Sequence, residues 1–483
     1  MLAGAVLGFG NLGPPGFTVL ALAAWMVCWW LTEAVDVAVT ALLPLVVLPL
    51  GTADAASSAS AALAAAAEPY AHPNIALYLG GFVLGLAMEH TGLHKRSALA
   101  VLSAIGSRPG SVVAGFMGVT AFLSMWISNT ATAVMMLPIA MSVAAVFDRK
   151  GDPDSNDTAK CLLLAVAYSA SVGGIGTLIG TPPNIQLAAF VEERYGTPIG
   201  FAQWLKVGLP LVVIFLPLTW LIMTRVVYRL PRTAEEGVRD AIARERAALG
   251  PMTRDERFVL AVFLATAILW ITRAQLASIE IAGAQPLAGL TDAGIAMLAA
   301  IVLFATPLSL RHPRTAARWQ DTARLPWGVL ILFGGGLSLA RAIDAHGVAD
   351  LIAEQTSALG GLPLIAIIAA ITAGVIFLTE LTSNTATVAT LLPVLAGVAV
   401  SIDAEPMSLL VPATLAASCA FMMPAATPPN AVVFSSGRLT VPMMCRAGLL
   451  LNIAGIAIVT LLSWVVVMHV FTPAVPAAGS LPE

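Results

Sequence analysis

The feature that most constrains the fold is a pair of polar motifs that occurs twice within strongly apolar sequence. Ser128-Asn129-Thr130 is followed by Thr181-Pro182-Pro183-Asn184, and Ser383-Asn384-Thr385 is followed by Thr427-Pro428-Pro429-Asn430. The flanks repeat as well, because SNTATAVMMLP in the first half corresponds to SNTATVATLLP in the second. Two copies of one polar signature predict a single site that is assembled from two related halves of a chain.

The composition places this chain in a lipid bilayer. It is 58% hydrophobic and 11% charged, with a mean hydropathy of +0.89, whereas soluble domains carry about 25% charged residues. The four cysteines are scattered and form no CxxC pattern, so neither a disulfide framework nor a zinc site is expected. The ten tryptophans fit membrane-interface anchoring better than nucleotide stacking, and we expect no nucleic-acid partner.

Apolar stretches of about 20 residues predict membrane spans. The predicted spans are 16–31, 33–50, 75–91, 161–190, 205–228, 258–274, 290–310, 326–343, 408–434 and 447–470. Two further apolar blocks, 111–147 and 362–400, are too long for one pass, and each has a Ser-Asn-Thr motif near its middle. We interpret both blocks as re-entrant helical hairpins that enter the membrane and return to the same side.

The distribution of basic residues supports this interpretation. Of the 24 Lys and Arg residues, 20 fall in the segments 91–110, 148–160, 225–257, 311–324 and 435–446. Two re-entrant hairpins place all five segments on one side of the membrane, which the positive-inside rule assigns to the cytoplasm. Segment 232–257 is predicted to be a helix on the cytoplasmic surface. The C-terminal tail from Phe471 has no basic residue and is expected outside.

The two halves correspond element by element. LTEA at 31–34 matches LTDA at 290–293, each interpreted as opening an apolar helix, and the paired motifs lie 255 and 246 residues apart. Each half contains five spans and one hairpin. Because five is odd, the second half inserts upside down relative to the first, and the hairpin tips can meet near the bilayer midplane. This inverted repeat is typical of secondary transporters.

The Thr-Pro-Pro-Asn segments are predicted to interrupt their helices, because proline lacks a backbone donor and restricts the residue before it. Helix N-termini suit a carboxylate, and free carbonyls with Ser, Thr and Asn oxygens suit Na⁺. Blocks 111–147, 161–191, 362–400 and 408–437 contain no Lys or Arg. A dianion bound there would need cations to neutralise it, which predicts co-transport of Na⁺. We expect no organic cofactor.

At these motifs the chain resembles the divalent anion/sodium symporter (DASS) family, the bacterial relatives of mammalian dicarboxylate and citrate carriers. The stretches that carry the resemblance are FLSMWISNTATAVMMLP (122–138), GGIGTLIGTPPN (173–184), FLTELTSNTATVATLLP (377–393) and MMPAATPPNAVVFSSG (422–437). The resemblance implies a homodimer that works as an elevator. It implies scaffold parts at 1–110 and 258–361, transport parts at 111–230 and 362–483, and a surface helix or linker at 231–257. Family members usually have another span ahead of residue 16, so the N-terminus here is expected outside.

The family pattern also implies the site residues. The substrate would lie between the two tips, against Ser128, Asn129, Thr130, Thr181, Ser383, Asn384, Thr385 and Thr427. The first Na⁺ site would use Ser124, Ser128, Asn129 and the Gly180 carbonyl. The second would use Thr379, Ser383, Asn384 and the Ala426 carbonyl. Ser124 and Thr379 each precede the motif serine by four residues, about one helical turn.

The motifs together with the family resemblance imply Na⁺-coupled uptake of C4-dicarboxylates such as succinate, malate or fumarate across the inner membrane. A sodium-independent dicarboxylate exchanger and a sulfate carrier are the alternatives. A membrane-embedded hydrolase that uses Ser128 or Ser383 is remote, because neither hairpin contains a His, Lys or Asp that could act as the base. Glu380 is a carboxylate within an apolar hairpin, so it either takes part in function or holds the hairpin against the scaffold.

Overall fold

The chain folds as helices joined by short turns. A computed structural model describes residues 12–52, 58–147, 153–228, 230–231, 233–234, 237–281, 283–308 and 314–471. This part of the chain contains no β-strand, only two isolated bridges, and eight of its helices are long and apolar enough to cross a membrane. The predicted all-α polytopic class is confirmed. The predictions for the N-terminus and for the tail after Phe471 fall outside the described residues.

The described residues of the first half form eleven helices. They are α1 (Pro14–Thr32), α2 (Val37–Thr40), α3 (Pro44–Gly51), α4 (Ala59–Ala67), α5 (Pro73–Thr91), α6 (Leu93–Leu102), α7 (Pro109–Ser124), α8 (Asn129–Phe147), α9 (Pro153–Gly174), α10 (Pro182–Tyr195) and α11 (Phe201–Leu221). A 3₁₀ turn, Glu68–Ala71, follows α4, and a π-helical turn, Ile222–Val227, extends α11.

A surface helix then leads into the second half. The remaining helices are α12 (Gly237–Ala247), α13 (Arg254–Ala277), α14 (Asp292–Ala305), α15 (Trp327–Ala345), α16 (Val348–Thr356), α17 (Leu364–Thr379), α18 (Asn384–Ser401), α19 (Met407–Ala417), α20 (Pro428–Phe434), α21 (Val441–Leu462) and α22 (Met468–Phe471). Two 3₁₀ turns, Trp319–Arg324 and Ser357–Gly361, and a π-helical turn, Ser463–Val467, belong to this half as well.

The repeat is visible in the order of these elements. Helices α5 to α11 recur in the same order, with an interruption at the corresponding place, as α15 to α21, although the two half-helices of the second broken helix are shorter. Even the π-helical turn recurs, since it ends α11 in the first half and α21 in the second. Block 111–147 is hairpin 1, formed by α7 and α8, and block 362–400 is hairpin 2, formed by α17 and α18.

Spans 161–190 and 408–434 are each divided into two half-helices, as predicted. Broken helix 1 consists of α9 and α10, and broken helix 2 consists of α19 and α20. Broken helix 1 lies at the centre of the molecule, because side chains along 161–175 are almost completely buried and α9 packs against both helices of hairpin 1.

The expectation that LTEA opens a helix is wrong. Helix α1 continues through Thr32, and Glu33 ends it in the left-handed conformation with φ 49°. The predicted span 33–50 is divided into α2 and α3, since Pro44 has no N–H to continue the helical ladder. The matching LTDA does begin a helix, because the Thr291 hydroxyl accepts the Gly294 N–H at the start of α14.

The predicted surface helix is shorter than its segment 232–257. Helix α12 covers eleven residues, and a capping box in which Thr253 and Glu256 exchange hydrogen bonds then starts α13. Sequence reasoning did not anticipate α6 and α16, which follow directly after α5 and α15 in the two halves.

Candidate functional site

The two hairpin tips have the same construction. Helix α7 ends at Ser124 and α8 begins at Asn129, so four residues form the first tip, and the second tip from Glu380 to Ser383 has the same length. The Ser128 hydroxyl accepts the Ala131 N–H at 3.2 Å and thereby caps α8. Ser383 occupies the same capping position of α18 without a side-chain cap. The Ser-Asn-Thr motif therefore turns the chain and starts the returning helix.

Three oxygens converge beneath the first tip. The Ser124 hydroxyl oxygen lies 2.6 Å from Asn129 Oδ1 and 2.7 Å from the Ala170 carbonyl oxygen of α9. We call these three atoms cluster 1. Ser124 is fully buried, and its hydroxyl has one proton to donate between the two acceptors. One of the two acceptor oxygens, Asn129 Oδ1 or the Ala170 carbonyl, is therefore left close to the hydroxyl oxygen without a proton between them. A hard cation would stabilise such a group of oxygens.

The second tip repeats the arrangement in the other half. The Thr379 hydroxyl oxygen lies 2.5 Å from Asn384 Oδ1 and 3.1 Å from the Ala417 carbonyl oxygen of α19. We call these atoms cluster 2, and Thr379 is as fully buried as Ser124. Each cluster thus combines a hydroxyl, an asparagine side chain and the carbonyl of a broken helix near its interruption. The sequence analysis did not predict the Ala170 and Ala417 carbonyls as part of the site, because a backbone carbonyl has no characteristic residue type.

The Thr-Pro-Pro-Asn motifs interrupt their helices as predicted. Thr181 and Thr427 are extended, with φ −143° and −140°, and each is followed by proline at the start of the second half-helix. Both threonines are buried. The Thr427 hydroxyl accepts the Asn430 N–H at 3.4 Å, whereas Thr181 makes no such cap.

The asparagine of each motif holds the interruption closed, a role that sequence reasoning did not assign. Asn184 Nδ2 donates to the Thr177 carbonyl at 2.8 Å, and Asn430 Nδ2 donates to the Met423 carbonyl at 3.0 Å. Each also reaches a carbonyl ten residues upstream, at Gly174 or Ala420, over 3.3 Å. Both side chains are fully buried. They satisfy backbone acceptors that the interrupted helix leaves without partners.

Glycines let hairpin 1 and broken helix 1 approach to backbone distance. A Cβ on Gly174 would lie 2.4 Å from Asn129 Oδ1, and one on Gly173 would lie 2.3 Å from the Ala121 carbonyl oxygen. A Cβ on Gly180 would lie 2.4 Å from the Gly174 carbonyl oxygen. Gly180 is therefore adjacent to the glycine that faces Asn129. In the second half, Ala426 lies in the interruption, and its N–H donates to the Met423 carbonyl at 3.2 Å.

Glu380 organises the interruption of broken helix 2. Its carboxylate accepts the N–H groups of Phe421 (2.7 Å), Met422 (2.9 Å) and Met423 (2.9 Å), together with Nδ2 of Asn452 (2.7 Å). The side chain is 5% exposed. All these partners lie within 362–483, the segment predicted to form one transport part with Glu380, so its contacts favour a role within that segment over one that holds the hairpin against the scaffold.

The two halves interlock around this region. Helix α10 packs against α18 and α19 of the second half, and α20 packs against α8 and α9 of the first. Across the contact, the Tyr168 ring meets the Phe421 ring at a centroid distance of 5.4 Å. Tyr168 is two residues from the Ala170 carbonyl of cluster 1, and Phe421 is four residues from the Ala417 carbonyl of cluster 2. The interruptions of broken helices 1 and 2 therefore lie close to each other, and we call the region that contains them the buried layer.

The remaining motif residues differ between the halves. Thr130 is exposed, whereas Thr385 is 8% exposed and lies on the face of α18 that contacts α10. Ser128, Asn129, Ser383 and Asn384 are partly exposed. Among the described residues no Lys or Arg side chain is buried.

The family profile and the two relatives below are all named as sodium-dependent transporters. The profile of the family described as "Sodium:sulfate symporter transmembrane region" matches residues 11–470. The sodium-dependent dicarboxylate transporter SdcS of Staphylococcus saprophyticus is 38% identical over 463 residues, which cover 95% of this chain and 87% of the relative. SdcS of Staphylococcus aureus is 39% identical over 460 residues, covering 93% of this chain and 86% of that protein.

Two solved structures share the fold at low sequence identity. The YdaH transporter of Alcanivorax borkumensis aligns with a TM-score of 0.56 and 12% identity, covering 96% of this chain and all of that one. MtrF of Neisseria gonorrhoeae aligns with a TM-score of 0.58 and 13% identity, covering 97% of this chain and 98% of that one.

Proposed function

The chain belongs to the sodium:sulfate symporter family, and we propose that it couples Na⁺ entry to the uptake of C4-dicarboxylates such as succinate, malate or fumarate. Two relatives of similar length bear the name of sodium-dependent dicarboxylate transporters. The observation in the structure that carries the proposal is the pair of equivalent buried oxygen clusters, one beneath each hairpin tip.

Each cluster is proposed to bind one Na⁺. Carboxamide, hydroxyl and carbonyl oxygens are the ligands that hard cations prefer. The first site would add Ser128 and the Gly180 carbonyl to cluster 1, and the second would add Ser383 and the Ala426 carbonyl to cluster 2. The Ala170 and Ala417 carbonyls are further ligands that the geometry suggests.

The substrate is proposed to lie between the tips, where Asn129, Thr130, Asn384 and Thr385 offer hydrogen bonds, with Ser128, Ser383, Thr181 and Thr427 nearby. The four blocks around this position contain no Lys or Arg. A dianion in a poorly solvated site is costly unless positive charge accompanies it. Bound Na⁺ supplies that charge, so dianion and cations bind together, which is the physical basis of coupled transport.

The experiment that tests this function is uptake of radiolabelled succinate into proteoliposomes. An inward Na⁺ gradient should drive accumulation, and an equal K⁺ gradient should not. Excess unlabelled fumarate should compete, whereas sulfate should not. Exchange of preloaded succinate in the absence of Na⁺ would contradict symport, and strong competition by sulfate would instead identify the inorganic anion as substrate.

A glycine substitution tests the first cation site. Gly174→Ala should place a methyl group against Asn129 Oδ1 and displace that side chain, because the spacing of 2.4 Å is far below van der Waals contact. We expect the rise in melting temperature on adding NaCl to shrink by at least about half, since cation binding stabilises the folded state through its affinity.

Gly118→Ala is the matched control, because Gly118 lies on hairpin 1, which carries Asn129, and a Cβ there meets no atom within 4 Å. It should keep the full response to NaCl, measured against choline chloride. A normal response in Gly174→Ala would show that Asn129 does not take part in Na⁺ binding.

The transport parts 111–230 and 362–483 are proposed to move as an elevator against the scaffold parts 1–110 and 258–361 of a homodimer. The basic segments would face the cytoplasm of a cell whose inner membrane holds the protein, with the C-terminus outside. Arg194 and Arg341 lie outside the five basic segments and would face the exterior.

An ion-pair network joins the two proposed parts. Arg341 of α15 contacts Glu68 at 2.6 Å and Glu193 of α10 at 2.5 Å, and Arg194 of α10 contacts Asp344. These contacts must break if α10 moves with the transport part. Arg341→Gln should therefore destabilise the state seen here and shift the conformational balance about twofold to fivefold, as expected for partly exposed ion pairs.

Spin labels at the exposed positions Leu63 and Val213 would report this shift as a change in their distance distribution. The control is Arg324→Gln, which breaks an ion pair with Glu89 within the scaffold and should leave the distribution unchanged. An equal distribution in wild type and Arg341→Gln would argue against relative motion at this contact.

A further inference from the structure

A cavity of about 560 Å³ lies between α6 and α12, away from the proposed transport site. Helix α6 follows directly after the span α5, and α12 precedes the span α13, so the cavity lies where the chain leaves the bilayer on its basic side. Arg96, Ser103, Arg239 and Arg246 form its polar lining, and none of the described lining residues is acidic.

The three arginines are in different situations. The guanidinium group of Arg96 already has partners, because its Nε donates to Glu256 at 2.7 Å and its Nη1 donates to the Gly250 carbonyl at 2.9 Å. Within the described part of the chain, Arg246 donates only to the Ser103 hydroxyl, at 3.0 Å, so none of the described carboxylates neutralises its charge. Arg239 is exposed and makes no hydrogen bond or ion pair with the described part of the chain. Two positive charges, those of Arg239 and Arg246, therefore line the cavity without a carboxylate partner among the residues that the structure describes.

The two described acidic residues of α12 lie outside the lining of the cavity. Glu245 of α12 pairs with Lys95 at 3.0 Å and does not line the cavity. Asp240 is exposed and also lies outside the lining. An anion that enters the cavity would thus meet guanidinium groups on one side and no carboxylate among the described lining residues.

Part of the lining is apolar. It comprises Leu102, Ile105 and Ile242, which we call the apolar wall, and Val101 beside them on α6 is 54% exposed. Guanidinium groups and an apolar wall within one cavity match an amphiphile, whereas a free phosphate would use only the guanidinium groups. Arginine binds phosphate oxygens in a bidentate manner, and basic cavities at the cytoplasmic ends of spans suit anionic lipid headgroups.

We propose that this cavity binds the headgroup of an anionic membrane phospholipid, with Arg239 and Arg246 on the phosphate and the apolar wall against the start of an acyl chain. The lipid would bridge α6 and α12. Helix α12 also packs against the end of hairpin 1, where a Cβ on Gly237 would lie 2.9 Å from Val146. The site is separate from the Ser-Asn-Thr tips, so its test does not depend on the transport proposal.

The test is native mass spectrometry of the detergent-solubilised full chain titrated with phosphatidylglycerol. Wild type should retain the lipid, and Arg239→Gln combined with Arg246→Gln should bind it about thirtyfold more weakly, because each guanidinium near an anionic lipid contributes about fivefold. Arg244→Gln is the matched control, since Arg244 is exposed on the same helix but does not line the cavity.

Ala243→Glu provides a second variant that places a negative charge in the lining. It should reduce lipid retention at least as much as the double substitution, and phosphatidylcholine should bind all variants alike. Equal losses in Arg244→Gln and in the double variant would overturn the proposal, because they would indicate general surface attraction. Displacement of the lipid by millimolar inorganic phosphate would also overturn it, by assigning the cavity to a soluble anion.

Discussion

Replacing Asn129 or Asn384 with alanine should abolish Na⁺-driven accumulation of succinate. Each substitution removes one of the three oxygens of its cluster and leaves a hydroxyl and a carbonyl that cannot surround a cation. A hydrogen bond or ligand contact to a charged group contributes about 1.5–3 kcal/mol, so Na⁺ affinity should fall about tenfold to a hundredfold. Because a dianion needs bound cations, accumulation should fall further than Na⁺ affinity does.

The measurement is the Na⁺ dependence of initial uptake, with protein folding checked by gel filtration and melting temperature. Thr132→Val is the matched control, since Thr132 is buried on α8 three residues after Asn129 and its hydroxyl has no partner in the described part. It should transport like wild type. If Asn129→Ala kept concentrative uptake with an unchanged half-saturating Na⁺ concentration, cluster 1 could not be a transported-cation site.

Much of the fold could be predicted from local sequence signals. The Thr-Pro-Pro-Asn motifs interrupt their helices because two successive prolines remove two backbone donors and keep the preceding threonine extended, and the Ser-Asn-Thr motif of hairpin 1 starts its returning helix with a serine cap. The pairs Ser124–Asn129 and Thr379–Asn384 were also predicted to lie together, since about one helical turn separates each hydroxyl from its motif. The assignment of Na⁺ to these pairs stays a prediction.

Other features depend on contacts between distant segments and leave no local signal. The Ala170 and Ala417 carbonyls approach the hairpin tips only because glycines and alanines let two helices pack at backbone distance. Asn184 and Asn430 can bond to the upstream carbonyls only because the loop between the two half-helices folds back towards them, and no local sequence signal predicts that path. The prediction that LTEA opens a helix was wrong for a related reason. Its short match to LTDA does not reveal that Glu33 ends a helix.

The halves differ most at Glu380, and this difference sets the second large expected effect. The corresponding position in hairpin 1 is Met125, where the Thr177 hydroxyl donates to the backbone carbonyl. In the first interruption the N–H groups of Ile175 and Gly176 bond to carbonyls three residues earlier. In the second, the N–H groups of Phe421, Met422 and Met423 depend on the Glu380 carboxylate.

Glu380→Ala should therefore collapse cluster 2 while leaving cluster 1 intact. It removes the acceptor of three backbone N–H groups and of the Asn452 amide in a buried layer, and each unsatisfied donor costs about 1–3 kcal/mol. The interruption from Ser418 to Thr427, which follows the Ala417 carbonyl, should rearrange to satisfy them. We expect uptake to fall at least about a hundredfold, and the steepness of its Na⁺ dependence should decrease because one of two proposed cation sites is lost.

Graded substitutions separate this mechanism from general destabilisation. Glu380→Gln keeps the size of the side chain but turns one acceptor oxygen into a donor facing N–H groups, so its loss of uptake should be intermediate. Asn452→Ala removes one donor and leaves the three backbone contacts, so its loss should be the mildest. The loss of uptake should therefore decrease in the order Glu380→Ala, Glu380→Gln, Asn452→Ala.

The same order should reappear in the lost response of melting temperature to NaCl, whereas simple unfolding would lower the melting temperature equally with and without NaCl. If Glu380→Ala kept the Na⁺ dependence of wild type, the interruption would hold its shape without the carboxylate, and cluster 2 would owe its geometry to hairpin packing alone.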